Sequence, residues 1–223
     1  MTSAYRAALL LVITGCAGAP KVAYEGAETF DAKAEASRAD ACAAAAPFAH
    51  HEWRDSPPLS SQGWLRGYME IGLGDSDKQE FSMADNGLKL DRVIPAELGG
   101  YPTNYGFVPR TIAFDGDPLD VLVLGPRIAP GTWVEGVVLG VLRMEDEKGD
   151  DPKIVVSPLE SGGRPAYPLT VEVKEKVGAW FERYKAGQPG KFSRVTGWGD
   201  VEDAARLLET TRTFFDEGPC RSR

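Results

Sequence analysis

Histidine and cysteine are scarce in this chain of 223 residues, with two of the first, three of the second and no C-x-x-C pair. That supply builds neither a zinc knuckle nor a thioredoxin-type redox site. The two histidines, His50 and His51, are adjacent and share no face of a helix or a strand, so a two-histidine metal site is not expected. Long apolar runs are also missing from the N-terminus, where Ala7 to Ile13 spans seven residues, too few to cross a bilayer. Positive charge is in deficit, 25 Lys and Arg against 33 Asp and Glu, for a net charge of −8. An acidic chain argues against nucleic acid or an anionic membrane surface as the main partner. What remains, 43% hydrophobic and 26% charged residues without an internal repeat, is ordinary for one globular domain.

The apolar run suits the core of a signal peptide spanning residues 1–15. Ile13-Thr14-Gly15-Cys16 follows it and resembles a bacterial lipobox, in which the cysteine becomes the lipidated first residue. The expected location is therefore the periplasmic face of the cell envelope, with the membrane touched only through a lipid anchor. Without a working signal the expectation is the cytoplasm. Residues 16–63 are rich in alanine and charge and are expected to be a lipidated tether, largely extended or disordered, with a helix around Ala32 to Ala46. With Cys16 lipidated, Cys42 and Cys220 form an even pair, to be joined as a disulfide or left as two thiols. The folded domain is expected over residues 64–216, with a tail from 217 to 223.

Within the domain the pattern is first one of short strands: Tyr68 to Leu73, Gln79 to Met83, Leu88 to Ile94, Thr111 to Phe114, Val121 to Leu124, Thr132 to Met144 and Lys153 to Val156. The period then lengthens. Val173, Val177, Trp180, Phe181 and Tyr184 share one helical face, and Val201, Ala204, Leu208, Thr211 and Phe215 line a second helix with Asp200 as N-cap. Strands followed by two helices predict an α+β fold, an OB-like small β-barrel with two C-terminal helices packed on it.

Three aspartates fall inside Asp115-Gly116-Asp117-Pro118-Leu119-Asp120, where glycine and proline bend the backbone so that the side chains can converge. Carboxylates that close repel one another, and a divalent cation is the usual compensation. Taken alone, the hexapeptide also reads as a solvated acidic turn. It is not an EF-hand loop, because Asp120 stands where that loop needs glycine and Pro126 where it needs glutamate. A second acidic group, Asp146, Glu147, Asp150 and Asp151, follows the longest strand, with Lys153 next to it. Glu70, Lys78, Glu80 and Arg92 lie on earlier strands.

In this order, the stretch from about Tyr68 to Glu209 resembles the family I soluble inorganic pyrophosphatases. Tyr101-Pro-Thr-Asn-Tyr-Gly-Phe107 and Asp115 to Val121 look like the family signature, Asp146 to Lys153 matches its second acidic loop, and Glu182-Arg-Tyr-Lys185 its tyrosine–lysine pair. Gly190-Lys-Phe192 and Gly197-Trp198 match its closing segment. The resemblance implies hydrolysis of pyrophosphate to two orthophosphates by a metal-activated water, with several Mg²⁺ ions per site and a homo-oligomer. It further implies Asp115, Asp120, Asp146 and Asp151 as metal ligands, with Asp120 between two ions, and Asp117 as the general base. Lys78, Arg92, Tyr105, Lys153, Tyr184 and Lys185 would bind the phosphoryl groups. Glu70 and Glu80 would act through waters, Tyr101 by position, and Trp198 belongs to the core. Hard, oxygen-seeking Mg²⁺ agrees with a site lacking histidine and cysteine. The alternative is a ligand-binding or scaffold β-barrel without catalysis.

Overall fold

The computed structural model describes residues 32–220, so the expected signal peptide and Cys16 lie outside the described residues. Two helices come first, α1 (Ala32–Ala45) and α2 (Glu52–Asp55). Strands β1 (Leu65–Ile71), β2 (Asp77–Ser82), β3 (Gly87–Val93), β4 (Asn104–Phe107), β5 (Asp120–Val123), β6 (Trp133–Asp146), β7 (Gly149–Asp150) and β8 (Lys153–Pro158) follow. Helix α3 (Val171–Arg183), strand β9 (Ser193–Gly199) and helix α4 (Val201–Asp216) complete the order.

The main sheet runs β1-β4-β5-β8-β6, and β6 returns to pair with β1, closing a ring of strands. Strand β6 manages this by its length. Its start pairs with β1, its middle with β8 and its end with β9 and β7. The turn of direction falls at Gly140, where φ is +154° and the β8 register slips; a Cβ there would stand 2.6 Å from the Gly199 carbonyl oxygen. The expected fold class, an α+β barrel carrying C-terminal helices, is the one observed.

Strands β5, β6 and β8 read as almost unbroken apolar runs because both of their faces are covered. Val121, Val123, Val141, Ile154 and Val156 join Ala204, Leu207 and Leu208 of α4 in one core. Their neighbours Leu122, Leu142 and Val155 join Val177, Trp180, Phe181 and Tyr184 of α3 in another. The alternation of the pleat thus assigns successive residues to different helices. Both helices begin on side-chain caps: Thr170 accepts from the Val173 amide, and Asp200 forms a reciprocal capping box with Asp203.

Two expectations need correction. Thr111 to Phe114 is not a strand, although it is apolar: Thr111 turns its hydroxyl to the Val108 carbonyl and accepts from the Leu119 amide, folding the segment into a loop. Residues 32–63 are not an extended tether. Helix α1 occupies much of that range, and Trp53, wholly buried, donates from its indole to the Thr111 carbonyl at 3.0 Å and meets Phe215 edge to face. His51 is buried too. It caps α2 and bonds the Met83 carbonyl through Nε2. Cys42 and Cys220 are joined as a disulfide, their Cα atoms 4.9 Å apart. They enclose a third core made of Ala45, Trp53, Phe81, Phe107, Ile112 and Phe215.

Candidate active site

Parallel pairing of β5 with β8 sets Val121 beside Ile154, so the residues just before them, Asp120 and Lys153, meet at the same end of the sheet. Lys153 Nζ lies 2.5 Å from Asp120 Oδ2 and 2.8 Å from Asp151 Oδ1, with its side chain only 4% exposed. Burial alone would lower the ammonium pKa, but the two carboxylates hold it well above the usual lysine range. The opposite pressure acts on Asp151. Burial, then Asp120 and Asp115, push its carboxyl up to about 7 against the pull of Lys153.

A second lysine makes the same kind of bridge. The β6–β7 hairpin turns through Glu147 and Lys148, and the Asp146 carboxylate holds that turn by accepting the Lys148 amide at 2.6 Å. The Lys148 ammonium then reaches Asp117 at 2.8 Å and Asp115 at 3.1 Å. Asp115 also accepts the Asp117 amide at 3.0 Å, which tightens the loop. Loss of hydration and the nearby Asp115 raise the Asp117 carboxyl to about 6. Lys185, just past the end of α3, supplies the third bridge, to Asp146 at 2.6 Å and Glu147 at 2.8 Å.

Each expected metal ligand therefore sits beside an ammonium that also serves a second carboxylate. Among the described residues no three His, Cys, Asp or Glu side chains are gathered around one point. The lysines draw the carboxylates off in pairs. The donor set fits a hard divalent cation: it is all oxygen, with Asp115, Asp120, Asp146 and Asp151 as carboxylates and no nitrogen or sulfur ligand among them.

Facing residues of the β2–β3 hairpin carry positive charge. Lys78 is opposite Arg92 in the pairing, and Asp91 binds both, at 3.1 Å each. Arg92 stacks over the Tyr184 ring at 5.0 Å, and its Nε and Nη2 are shielded from solvent with no hydrogen-bond partner. Tyr101 and Tyr184 hydroxyls lie 3.3 Å apart, and Tyr105 packs under Lys153 at 5.6 Å. Burial carries both Tyr101 and Tyr105 well above the ordinary phenol range, so both stay neutral donors. Glu70, buried on β1, accepts the Phe81 amide at 2.7 Å, and its burial next to Asp120 raises it to about 8. Glu80 is the outlier, 57% exposed and ion-paired with Lys78.

Sequence reasoning named Glu147 only as part of the second acidic group, with no role of its own, and missed Lys148 and Asp91 as members of this network. The first two sit inside the matched acidic loop, and the usable signal was a lysine at the tip of a tight hairpin flanked by carboxylates. Asp91, on a strand that is largely exposed, carried no such signal.

Comparison with known proteins places this geometry. A family model described as inorganic pyrophosphatase matches residues 67–216. An inorganic pyrophosphatase of Saccharolobus solfataricus is 38% identical over 149 residues, covering 64% of this chain and 86% of that one. One of Aeropyrum pernix is 40% identical over 147 residues, 63% of this chain and 83% of its own. Among solved structures, the inorganic pyrophosphatase of Thermus thermophilus superposes with a TM-score of 0.67 at 34% identity, covering 74% of this chain and 99% of that one.

Proposed function

The chain belongs to the inorganic pyrophosphatase family, and from that premise we propose how it hydrolyses inorganic pyrophosphate to two orthophosphates. The reading rests on one observation above all: the lysine-bridged carboxylates are linked through Tyr105, Tyr101 and Tyr184 to a shielded arginine whose Nε and Nη2 have no hydrogen-bond partner. A dianionic phosphoryl group needs such an arginine, and the carboxylate side needs cations.

Asp115, Asp120, Asp146 and Asp151 would hold divalent cations, Mg²⁺ by preference. When bound, these would offset the charge of pyrophosphate and make the attacking water more acidic. Asp117 accepts the proton of the attacking water. Its position is set by the Lys148 ammonium and by the backbone bond from its own amide to Asp115. Arg92 receives one phosphoryl group through its guanidinium, whose Nε and Nη2 have no hydrogen-bond partner of their own, a geometry to which a guanidinium is suited. Lys78 and the Tyr184 hydroxyl add point donors, and Lys153 and Lys185 stabilise charge that grows on the leaving phosphate. Homo-oligomeric assembly is part of the same proposal.

The test is phosphate release by the purified chain from about residue 20 onward. Turnover is expected with Mg²⁺ and near-complete loss with excess chelator, regained when Mg²⁺ is restored. A folded chain that binds Mg²⁺ and releases no phosphate would end the hydrolase reading.

We further propose that Cys16 carries a lipid and that the enzyme works at the periplasmic face. The lipobox-like Ile13 to Cys16 supports this. So does the Cys42–Cys220 disulfide, since such bonds persist mainly in oxidising compartments. In a bacterial host, labelled palmitate should enter the wild-type chain and not Cys16→Ser; equal labelling of the two, or none in either, rejects the anchor.

A further inference from the structure

Both half-cystines, and the helix that carries the first of them, fall outside residues 67–216, the part shared with the family. That added helix, α1, lies on the aspartate loop. The contact point is Gly116, between Asp115 and Asp117, at φ +89°. A Cβ there would stand 2.5 Å from the Ala34 carbonyl oxygen, 2.7 Å from Ser37 Cβ and 3.1 Å from the Arg38 amide. Glycine is required for the conformation and again for the approach, so the loop backbone rests on the helix with no side chain of its own between them.

The loop is otherwise held by short bonds of its own and by one ammonium: Gly116 donates to the Ala113 carbonyl, Ala113 to that of Asp117, and Asp117 to the Asp115 carboxylate, while Lys148 binds the Asp115 and Asp117 side chains from the β6–β7 hairpin. Its outer side is braced by α1. The helix is in turn fastened to the C-terminal end of α4, where Arg38 Nη1 donates to the Phe214 carbonyl at 3.2 Å. Phe114, one residue before the loop, meets Phe214 edge to face. The helix has little apolar bulk with which to hold this position. Among its described side chains the buried ones are Ala34, Cys42 and Ala45, each small, and stabilisation by burial scales with apolar area. The covalent link to Cys220, 178 residues away in sequence, keeps α1 at high effective concentration against its seat.

We propose that α1 is a positioning element for the cation-binding loop and that the Cys42–Cys220 disulfide is the latch that holds it there. With the latch closed, α1 maintains the loop shape in which Asp115 and Asp117 present their carboxylates. A dithiol reductant opens it: the S–S bond breaks, the two sulfurs take up two electrons and two protons, and the reductant leaves as its own disulfide. The loop then loses its brace and binds cations more weakly. The consequence for turnover rests on the hydrolase reading, whereas the consequence for Mg²⁺ binding does not.

The experiment compares the oxidised chain, the dithiol-treated chain and Cys42→Ser, each with its thiol count verified by alkylation and mass. Mg²⁺ affinity is read by titration calorimetry and loop order by hydrogen exchange of residues 113–119. Opening the latch should weaken Mg²⁺ binding about fivefold or more. It should also speed exchange at Gly116 and Asp117 about tenfold, with β5 and β8 unchanged. Ser37→Leu, which leaves the disulfide intact and adds bulk against Gly116, should weaken Mg²⁺ binding in the same way, and it decides the matter if the reduced chain unfolds throughout. Equal Mg²⁺ affinity and loop exchange in the open and closed forms, or wild-type Mg²⁺ affinity in Ser37→Leu, overturns the proposal. Mg²⁺ binding that responds to the latch in a chain that releases no phosphate would refute the hydrolase and leave the positioning role standing.

Discussion

Asparagine in place of Asp117 is expected to cut phosphate release from pyrophosphate by about 10²–10⁴-fold, the usual contribution of a general base. The thermal midpoint should stay close to that of the wild type. The loop is held by backbone groups that the substitution does not touch: Ala113 still donates to the carbonyl of residue 117, and that residue's amide still reaches Asp115. One ion pair with Lys148 is lost, but the side chain is 52% exposed and Lys148 keeps Asp115 at 3.1 Å. The sign of the charge effect is also favourable. Asp117 titrates near 6, above a free carboxyl, so its ionised form is less comfortable folded than unfolded, and this cost grows as pH rises through 6. Asparagine removes it. Steady-state kinetics at saturating Mg²⁺ with calorimetry on the same samples checks both halves. A variant that turns over at the wild-type rate would take the proton-accepting role away from Asp117.

The second large effect is one of stability. Trp53→Ala should cost about 3–5 kcal/mol, as burying nothing where an aromatic ring was leaves a cavity. At a few degrees per kcal/mol for a domain of this size, the melting midpoint should fall by about 6–20 °C. The indole is 0% exposed, its N–H satisfies the Thr111 carbonyl, and its ring meets Phe215 at 5.3 Å. Its own carbonyl accepts from the Arg110 amide at 2.9 Å, tying the N-terminal extension to the loop that leads toward Asp115. Were residues 32–63 a tether, the same change would fall within about 0.5 kcal/mol, the range of ordinary surface substitutions. An unchanged midpoint by scanning calorimetry would restore the tether.

The two predictions mark where sequence reasoning reached and where it stopped. Asp115, Asp117 and Asp120 stand out in the chain because three carboxylates around a glycine and a proline are a local pattern. The strands β5, β6 and β8 are as visible, since β-branched runs announce themselves over a few residues. The loop at Thr111 was misread for the same reason in reverse: its apolar residues look like a strand, and the hydroxyl bonds that fold it to Val108 and Leu119 leave no periodic trace. Helix α1 was legible as a helix but not as part of the fold. Alanine offers no apolar stripe, and the groups that α1 meets, Gly116, Phe214 and Cys220, come far later in the chain.

Residue chemistry and order were enough, by themselves, to determine the run of short strands followed by helices and the oxygen-only set of candidate donors, because these depend on neighbours within a few positions; the roles of Asp115, Asp117 and Asp120 within that set come from the family resemblance. Tertiary structure alone decided which lysine bridges which carboxylates, that Arg92 Nε and Nη2 are left without a hydrogen-bond partner, and that an extension outside the shared domain is latched against the aspartate loop. Those are contacts between residues tens to hundreds of positions apart, whose partners are chosen by the register of β5 with β8, by the hairpin at Lys148 and by one disulfide.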